Sequence, residues 1–298
     1  MVETTTTTKP KAAKLAEQPA ATEQPVVAVE AGLPVQMDFM ADAGMGMEEA
    51  DKSSFAIPFI IVLQANSPQL EKLDDAKAGM LMNSITEELF KSGEGVHVIP
   101  VSFQRRYLRW SPRSSGGGYK GEYNPIEVET GKIPGMSIHR GMYLMDVPEG
   151  VTNPFDADGR PLYDHLSDTR NHFILFQTKE GSWQPALISM ASTQIKKSKR
   201  WMSRIQGVEL TDPKSGRKFN PPSFSHVYLI KTELESNQKG KWYGLDINMA
   251  GAVTDPQLYQ KAKDFNAQVM AGKVEVSQPA DEADTTGNSG DDDDGKSF

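Results

Sequence analysis

Five cations, Arg105, Arg106, Arg109, Arg113 and Lys120, alternate with Phe103, Tyr107, Trp110 and Tyr119 in a stretch from Gly95 to Gly121 that contains no Asp or Glu. Cations beside ring faces are what an unpaired nucleic-acid strand requires. Arg and Lys neutralise phosphates and release counterions, and exposed bases stack on aromatic rings for about 1–3 kcal/mol each. If Gln104 to Trp110 is a strand, Arg106, Leu108 and Trp110 share one face and Arg105, Tyr107 and Arg109 the other. The loop Ser114-Ser-Gly-Gly-Gly118 adds bare backbone that can approach a phosphate. The competing structural reading is an edge strand whose arginines discourage aggregation while Tyr107 and Trp110 simply pack.

A second acid-free stretch, Gly181 to Val208, holds Lys196, Lys197, Lys199, Arg200, Trp201 and Arg204. On a helix Lys196, Lys199 and Arg200 share one side, and Lys197, Trp201 and Arg204 an adjacent one. Such a helix can line a phosphate track with one stacking ring, or it can be an amphipathic helix with Trp201 in the core and its lysines in water. A third signal is Asp291, Asp292, Asp293 and Asp294 followed by Gly-Lys-Ser and Phe298. An acidic run ending in a ring beside a free carboxylate suits a docking segment, the ring filling an apolar pocket and the acids meeting a basic rim. Its alternative is a solubilising tail.

Enzymatic chemistry has less to build on. The five histidines, His97, His139, His165, His172 and His226, show no HExxH spacing, and with no cysteine there is neither a thiolate ligand nor a thiol nucleophile. Asp156-Ala-Asp158-Gly159 with Asp164 resembles a piece of a calcium loop, but Pro154 stands where the first ligand belongs and no Glu closes it, so it reads as a turn. The glycine run is followed by no Gly-Lys-Ser/Thr, which removes a phosphate-binding loop of nucleotide triphosphatases. No cofactor and no metal are expected, and the chain reads as a binding protein rather than an enzyme.

These side chains need a scaffold of short strands. Apolar, β-branched and aromatic runs at Phe55–Gln64, Gly79–Ile85, Val96–Tyr107, Ser137–Met145, His172–Thr178, Gln184–Ser189, Ser225–Glu233 and Lys241–Asn248 are separated by Gly, Pro, Asn and Asp. Pro58 implies an edge or a strand start. Two helices are expected. One runs from a cap at Ser192 or Thr193 to Ile205, burying Ile195, Met202 and Ile205. The other is capped by Thr254 or Asp255, has Pro256 in its first turn, and ends at Met270 before Gly272. Many short strands with few helices indicate a mainly β antiparallel barrel or sandwich. Trp183, Trp242 and Tyr243 are expected in its core.

The net charge of −8 conceals a partition. Residues 1–52 carry 9 acidic and 4 basic side chains and residues 271–298 carry 8 and 2, which leaves 23 acids and 26 bases in the middle. The predicted organisation is a disordered leader (1–52), one nucleic-acid-binding core (53–271) and a disordered acidic tail (272–298), because both ends are too poor in large apolar residues to offset ordering entropy. Within the leader, residues 37–49 are rich in Met and could form a short adaptable helix. No stretch is long and apolar enough to suggest a membrane segment.

A basic, aromatic-bearing core followed by a polar linker, Asp291–Asp294 and a terminal Phe298 resembles the bacterial and phage-encoded single-stranded-DNA-binding proteins. The resemblance implies an OB-fold-like antiparallel barrel with one or two helices and disordered termini. It also implies that the protein coats single-stranded DNA without strong sequence preference during replication, recombination or repair, with the tail recruiting partner enzymes. Gly295-Lys296-Ser297 stands where the bacterial tail has an Ile-Pro pair, and this favours the phage-type branch and the host cytoplasm. On this reading Arg105, Arg106, Arg109, Arg113, Lys120, Lys196, Lys197, Lys199 and Arg200 contact phosphates, while Tyr107, Trp110, Tyr119 and Trp201 stack bases. A homo-oligomer is compatible with it. The alternatives are a strand-annealing recombination protein, which should form rings, and a non-enzymatic virion or scaffold protein.

Overall fold

Runs rich in Val, Ile and aromatic residues with polar residues between them favour a pleated surface buried on one side, and in the computed structural model the described residues form thirteen strands and four α-helices. It describes residues 45–46, 56–238, 240–274 and 276. The chain divides into two units, Met1–Glu49 and Ala50–Phe298, and the first is described only at the turn 45–46. The rest of the Met-rich stretch, the leader before it, and residues 275 and 277–298 of the acidic tail lie outside the described residues.

In chain order the elements are β1 (Ile60–Val62), α1 (Gln69–Lys72), β2 (Leu81–Asn83), β3 (Leu89–Phe90), β4 (Val96–Trp110), β5 (Tyr119–Tyr123), α2 (Pro125–Glu129), β6 (Met136–His139) and β7 (Met142–Met145). There follow β8 (His165–Gln177), β9 (Trp183–Ala191), α3 (Ile195–Gln206), β10 (Leu210–Thr211), β11 (Lys218–Phe219), β12 (His226–Asn237), β13 (Gly240–Ala252) and α4 (Pro256–Met270). The expectation of a mainly β, antiparallel protein holds. Both long helices are present; α4 is capped as expected, the Asp255 carboxylate accepting the Gln257 N–H at 2.8 Å ahead of Pro256, whereas Ser192 and Thr193 fall in a 3-10 turn and α3 starts after Gln194 with no side-chain cap. The short helices α1 and α2 were not expected. The single strand expected at Ser137–Met145 is instead the hairpin β6–β7, because Arg140 (φ 50°) and Gly141 (φ 77°) supply the two left-handed residues of a tight turn.

The main sheet runs β13-β12-β4-β8-β7-β6, with β5 also on β4 and β9 also on β8. Strand β4 organises it. One edge of β4 pairs with β8 from Val98 to Trp110, while the other takes β12 near its start and β5 near its end. The register shifts between Pro100 and Ser102, where proline has no N–H to give the ladder, and a bulge of this kind increases the local twist. The sheet curls without closing into a barrel. Between β9 and β13 lies the segment leading into β1: Leu187 N donates to Pro58 O at 2.8 Å, and Phe59 bridges Leu187 in parallel. At the other end the side-chain amide of Gln64 replaces a ladder, its Nε2 donating to Tyr243 O at 2.9 Å and its Oε1 accepting from Tyr243 N at 2.8 Å. The approach there is tight. A Cβ on Gly79 (φ 89°) would sit 2.5 Å from the Tyr243 ring.

Two apolar cores lie on opposite faces of this sheet. Inside the curl, Ile60, Leu81, Val98, Ile174, Phe176, Ile188, Tyr228, Ile230 and Ile247 pack around Trp201 of α3. On the outer face α4 lays Ala262, Phe265 and Val269 over Ile99, Val101, Phe173, Leu175 and Leu187. A third cluster, Tyr107, Val128, Ile133, Met145 and Leu166, holds the excursion between β4 and β8 against the far half of those strands. The fully buried residues of α3 are therefore Ser198 and Trp201, while the expected Ile195, Met202 and Ile205 are each only partly buried. Trp183, Trp242 and Tyr243 are only partly buried.

Candidate nucleic-acid interface

Alternation along β4 divides the first cluster as its sequence requires. Arg105, Tyr107 and Arg109 stand opposite Arg170, Asp168 and Leu166 of β8, while Arg106, Leu108 and Trp110 stand opposite Thr169, Ser167 and His165. The rings, however, are sealed. Tyr107 is 5% exposed and Trp110 4%, so neither can stack on a base, and that expectation is corrected. Tyr107 faces Tyr143 edge-on in the third cluster, and Trp110 packs against the ring of Tyr119. Tyr119 itself, 36% exposed, keeps part of its surface in water.

The arginines of β4 are equally engaged. Arg105 donates from Nε and Nη2 to the two oxygens of Asp168 at 2.9 and 2.7 Å, and its Nη1 lies 2.7 Å from Glu129. Arg109 donates to Asp164 at 2.8 Å and to Asp146 at 2.8 Å. Lys120 reaches Asp164 at 3.0 Å, and Arg106 meets Glu122 at 3.1 Å. The protonation equilibria follow. The Asp168 hydrogen bond holds Arg105 charged more firmly than a free arginine, against the opposing effect of burial. Burial opposes the charge on Arg109 too, but the hydrogen bonds to Tyr123, Asp164 and Asp146 outweigh it. At Asp164 burial alone would raise the carboxyl, yet Lys120, Arg109 and Ser111 hold it below the usual range. Burial, followed by the charge of Asp168, pushes Tyr107 up to about 12. A cation already paired in this way has less to offer a phosphate. Arg113 opens a 3-10 turn, Arg113–Ser115, and its side chain lies outside the described residues.

The second cluster differs. Helix α3 sits at the mouth of the curled sheet, anchored by Trp201, which is 1% exposed and stacks on His172 with centroids 4.6 Å apart. Trp201 is thus a core residue and not a stacking platform, a further correction. His172 is held between Phe103 and Trp201, its Nε2 2.7 Å from Ser198 Oγ, and burial lowers its pKa to about 3, so it is neutral at pH 7. On the opposite side of the helix Lys196, Lys199 and Arg200 are exposed. Lys197 is drawn into the fold by Glu233, at 2.8 Å, and by Glu235. Arg204 donates to Ile247 O. A small cleft between the helix and the strands β12 and β13 is lined by Lys197, Arg200, Trp201, Arg204, Glu233 and Ile247. The rings of the two sequence clusters thus meet through His172, which stacks on Trp201 in the core and meets the partly buried Phe103 at a tilt, rather than across an open groove.

Two groups of residues were missed at the sequence level. The carboxylates that neutralise β4 come mostly from segments 24 to 63 residues further along, too far for a local window to reveal. The hairpin β10–β11, directly after α3, carries Leu210 and Phe219 at 41% and 47% exposure. Its signal was legible as turn chemistry, Asp212-Pro-Lys-Ser-Gly216. The docking residues Asp291, Asp292, Asp293, Asp294 and Phe298 lie outside the described residues. Among those that are described, no group of His, Asp and Glu is arranged to hold a metal ion, and no helix is long and apolar enough to cross a membrane.

A family model described as Pam3 phage gp34-like protein matches residues 26–275. No curated protein and no solved structure matches the chain.

Proposed function

We propose, from the premise that this chain belongs to the Pam3 phage gp34-like protein family and is a phage protein, that it binds single-stranded DNA without turnover during phage replication or recombination. The observation that carries the reading is the exposed side of α3. Lys196, Lys199 and Arg200 lie within little more than one helical turn on a helix fixed to the core by Trp201, with no acid of the helix itself among them. Cations on a rigid element can follow a phosphate backbone at little ordering cost.

The connectivity supports the same reading. With β5, α2, β6 and β7 taken as an insertion between β4 and β8, and β10–β11 as one between α3 and β12, the order β4, β8, β9, α3, β12 and β13 is three strands, a helix and two strands. With β4 between β12 and β8, this connectivity is compatible with the strand order of an OB-fold, a partly open barrel that often binds oligonucleotides, and that supports the reading. In such barrels the outer face of the second and third strands commonly receives the ligand. Here α4 covers part of that face, so the reading assigns the nucleic acid to the α3 side. The acidic segment Asp291–Asp294 is assigned to replication or recombination enzymes, and removing residues 290–298 is expected to leave DNA affinity unchanged or raised.

The test is a salt series with oligo(dT) against a duplex of equal length. The single strand should bind more tightly, with log K falling linearly against log salt at about 0.7 per phosphate contacted. Absent or salt-insensitive binding overturns the reading.

A further inference from the structure

With Trp110 and Trp201 sealed in the core, a single-strand binder needs its ring surface elsewhere. We propose that the β10–β11 hairpin is a base-stacking arm, with Phe219 as its platform and Arg217 and Lys214 on the adjoining phosphates. The proposal rests on the reading of the chain as a single-strand binder. Among the described residues Phe219 is the most exposed aromatic side chain. It pairs across the hairpin with Leu210, so the two apolar side chains share a face, and alternation adds Arg217 to that face. Thr211 and Lys218 point the other way, where Lys218 is paired with Glu209 at 3.0 Å. One face of the arm is therefore ring, aliphatic chain and guanidinium. The other is an ordinary solvated surface.

The arm is built to hold that face out. Asp212 accepts from Lys214 N at 3.0 Å and Ser215 N at 3.3 Å, while Asp212 N donates to Arg217 O and Gly216 N to Asp212 O at 2.9 and 2.8 Å. At its base Asn220 Nδ2 donates to Gln206 O at 2.8 Å and to Val208 O at 3.0 Å, which ties the arm to the C-terminal end of α3. The arm thus continues the element that carries Lys199 and Arg200. A preorganised platform loses little entropy on binding. Its size also selects the occupant. Two apolar side chains cover far less than the roughly 1,000 Å² that a specific protein interface requires, but they suit one or two bases flanked by phosphates.

The experiment compares the wild-type full chain with Phe219→Ala, Phe219→Trp and Arg217→Ala. Equal thermal unfolding midpoints are expected throughout, because the hairpin lies outside every apolar core. Phe219→Ala should weaken oligo(dT) binding by about 5-fold or more while leaving the salt slope unchanged. Arg217→Ala should lower the slope by about 0.7. Phe219→Trp should keep the affinity and give fluorescence that oligo(dT) quenches. If wild type binds oligo(dT) and Phe219→Ala binds equally well, the arm is not a platform and the function reading survives. A Phe219→Ala variant that changes only the oligomeric state also overturns the arm, in favour of a contact between copies. If wild type itself does not bind, it is the function reading that falls.

Discussion

The stretch Gly95–Gly121, which carries β4, and the α3 helix begin from the same composition, cations and rings with no acid in the window, and end in opposite states. On β4 the acids arrive from outside: Asp168 by pairing on β8, Asp164 just before that strand, Glu129 from α2 and Asp146 after β7. On α3 the neighbours of each side chain are mostly its own sequence neighbours three and four residues away. Where β12 crosses the helix, Glu233 and Glu235 engage Lys197. An acid-free run in a strand therefore says little about the final charge of its surface. The same run in a helix says much more, because the helix brings its own sequence together as a face.

The sharpest way to break this contrast is at the rings. Trp201→Ala should cost about 3–5 kcal/mol, the penalty for emptying a large aromatic site at the centre of a packed core, read by urea unfolding. If Trp201 were instead a ligand platform, the substitution would change DNA affinity and leave stability nearly intact.

Next in size are the paired arginines. Arg109→Ala leaves Asp164 with Lys120 and Ser111 but without its closest cation, in a site where both partners are mostly buried. We expect a loss of about 2–3 kcal/mol, reduced from the cost of breaking a fully buried pair because some solvent reaches the group. The salt dependence of DNA binding should hardly change. A large fall in that slope with unaltered stability would mean that the arginine serves the ligand and that the contrast between the segments is false.

Much of the fold was legible in the sequence. Asp255-Pro256 fixes the start of α4 because capping and proline geometry act locally, and the alternation in Gln104–Trp110 gives the two faces of β4 correctly. What stayed hidden depends on distant residues. Burial of Trp110 and Trp201 follows from which elements cover them, and the pairing of Arg105 with Asp168 follows from a register that no local window contains. The hairpin at Arg140-Gly141 was within reach, since adjacent residues able to adopt positive φ mark a tight turn, but the apolar run through it suggested one continuous strand.

The stack joining the two segments makes a prediction of intermediate size. An unfolded chain protonates His172 near pH 6.5, whereas the folded protein resists until about pH 3 because the ring is buried. The unfolded state therefore binds the extra proton first. The stability contributed by neutral His172 is complete above pH 6.5 and is lost as the pH falls toward 3, at up to about 1.4 kcal/mol per unit. His172→Gln, which keeps an amide within reach of Ser198, should flatten this part of the acid limb. Parallel urea titrations at pH 7 and pH 4.5 measure the difference, and identical acid limbs would show that the stack does not exclude the proton.

The smallest expected effect on stability belongs to the open cations, and it is the one that tests the contrast from the side of function. Lys199 and Arg200 are exposed, so replacing both with Ala should change stability by less than about 0.5 kcal/mol. If they lie on the path of a single strand, each lost phosphate contact lowers the magnitude of the salt slope by about 0.7, or about 1.4 for the pair. The matched change on the other segment, Arg106→Ala with Lys120→Ala, removes cations already held by Glu122 and Asp164 and should lower the slope by less. The comparison is independent of absolute affinity, since both variants are titrated with the same oligonucleotide over the same salt range. Equal changes in slope would mean that the acids beside β4 yield to phosphate on binding. Ion pairing in the free protein would then no longer distinguish the two surfaces.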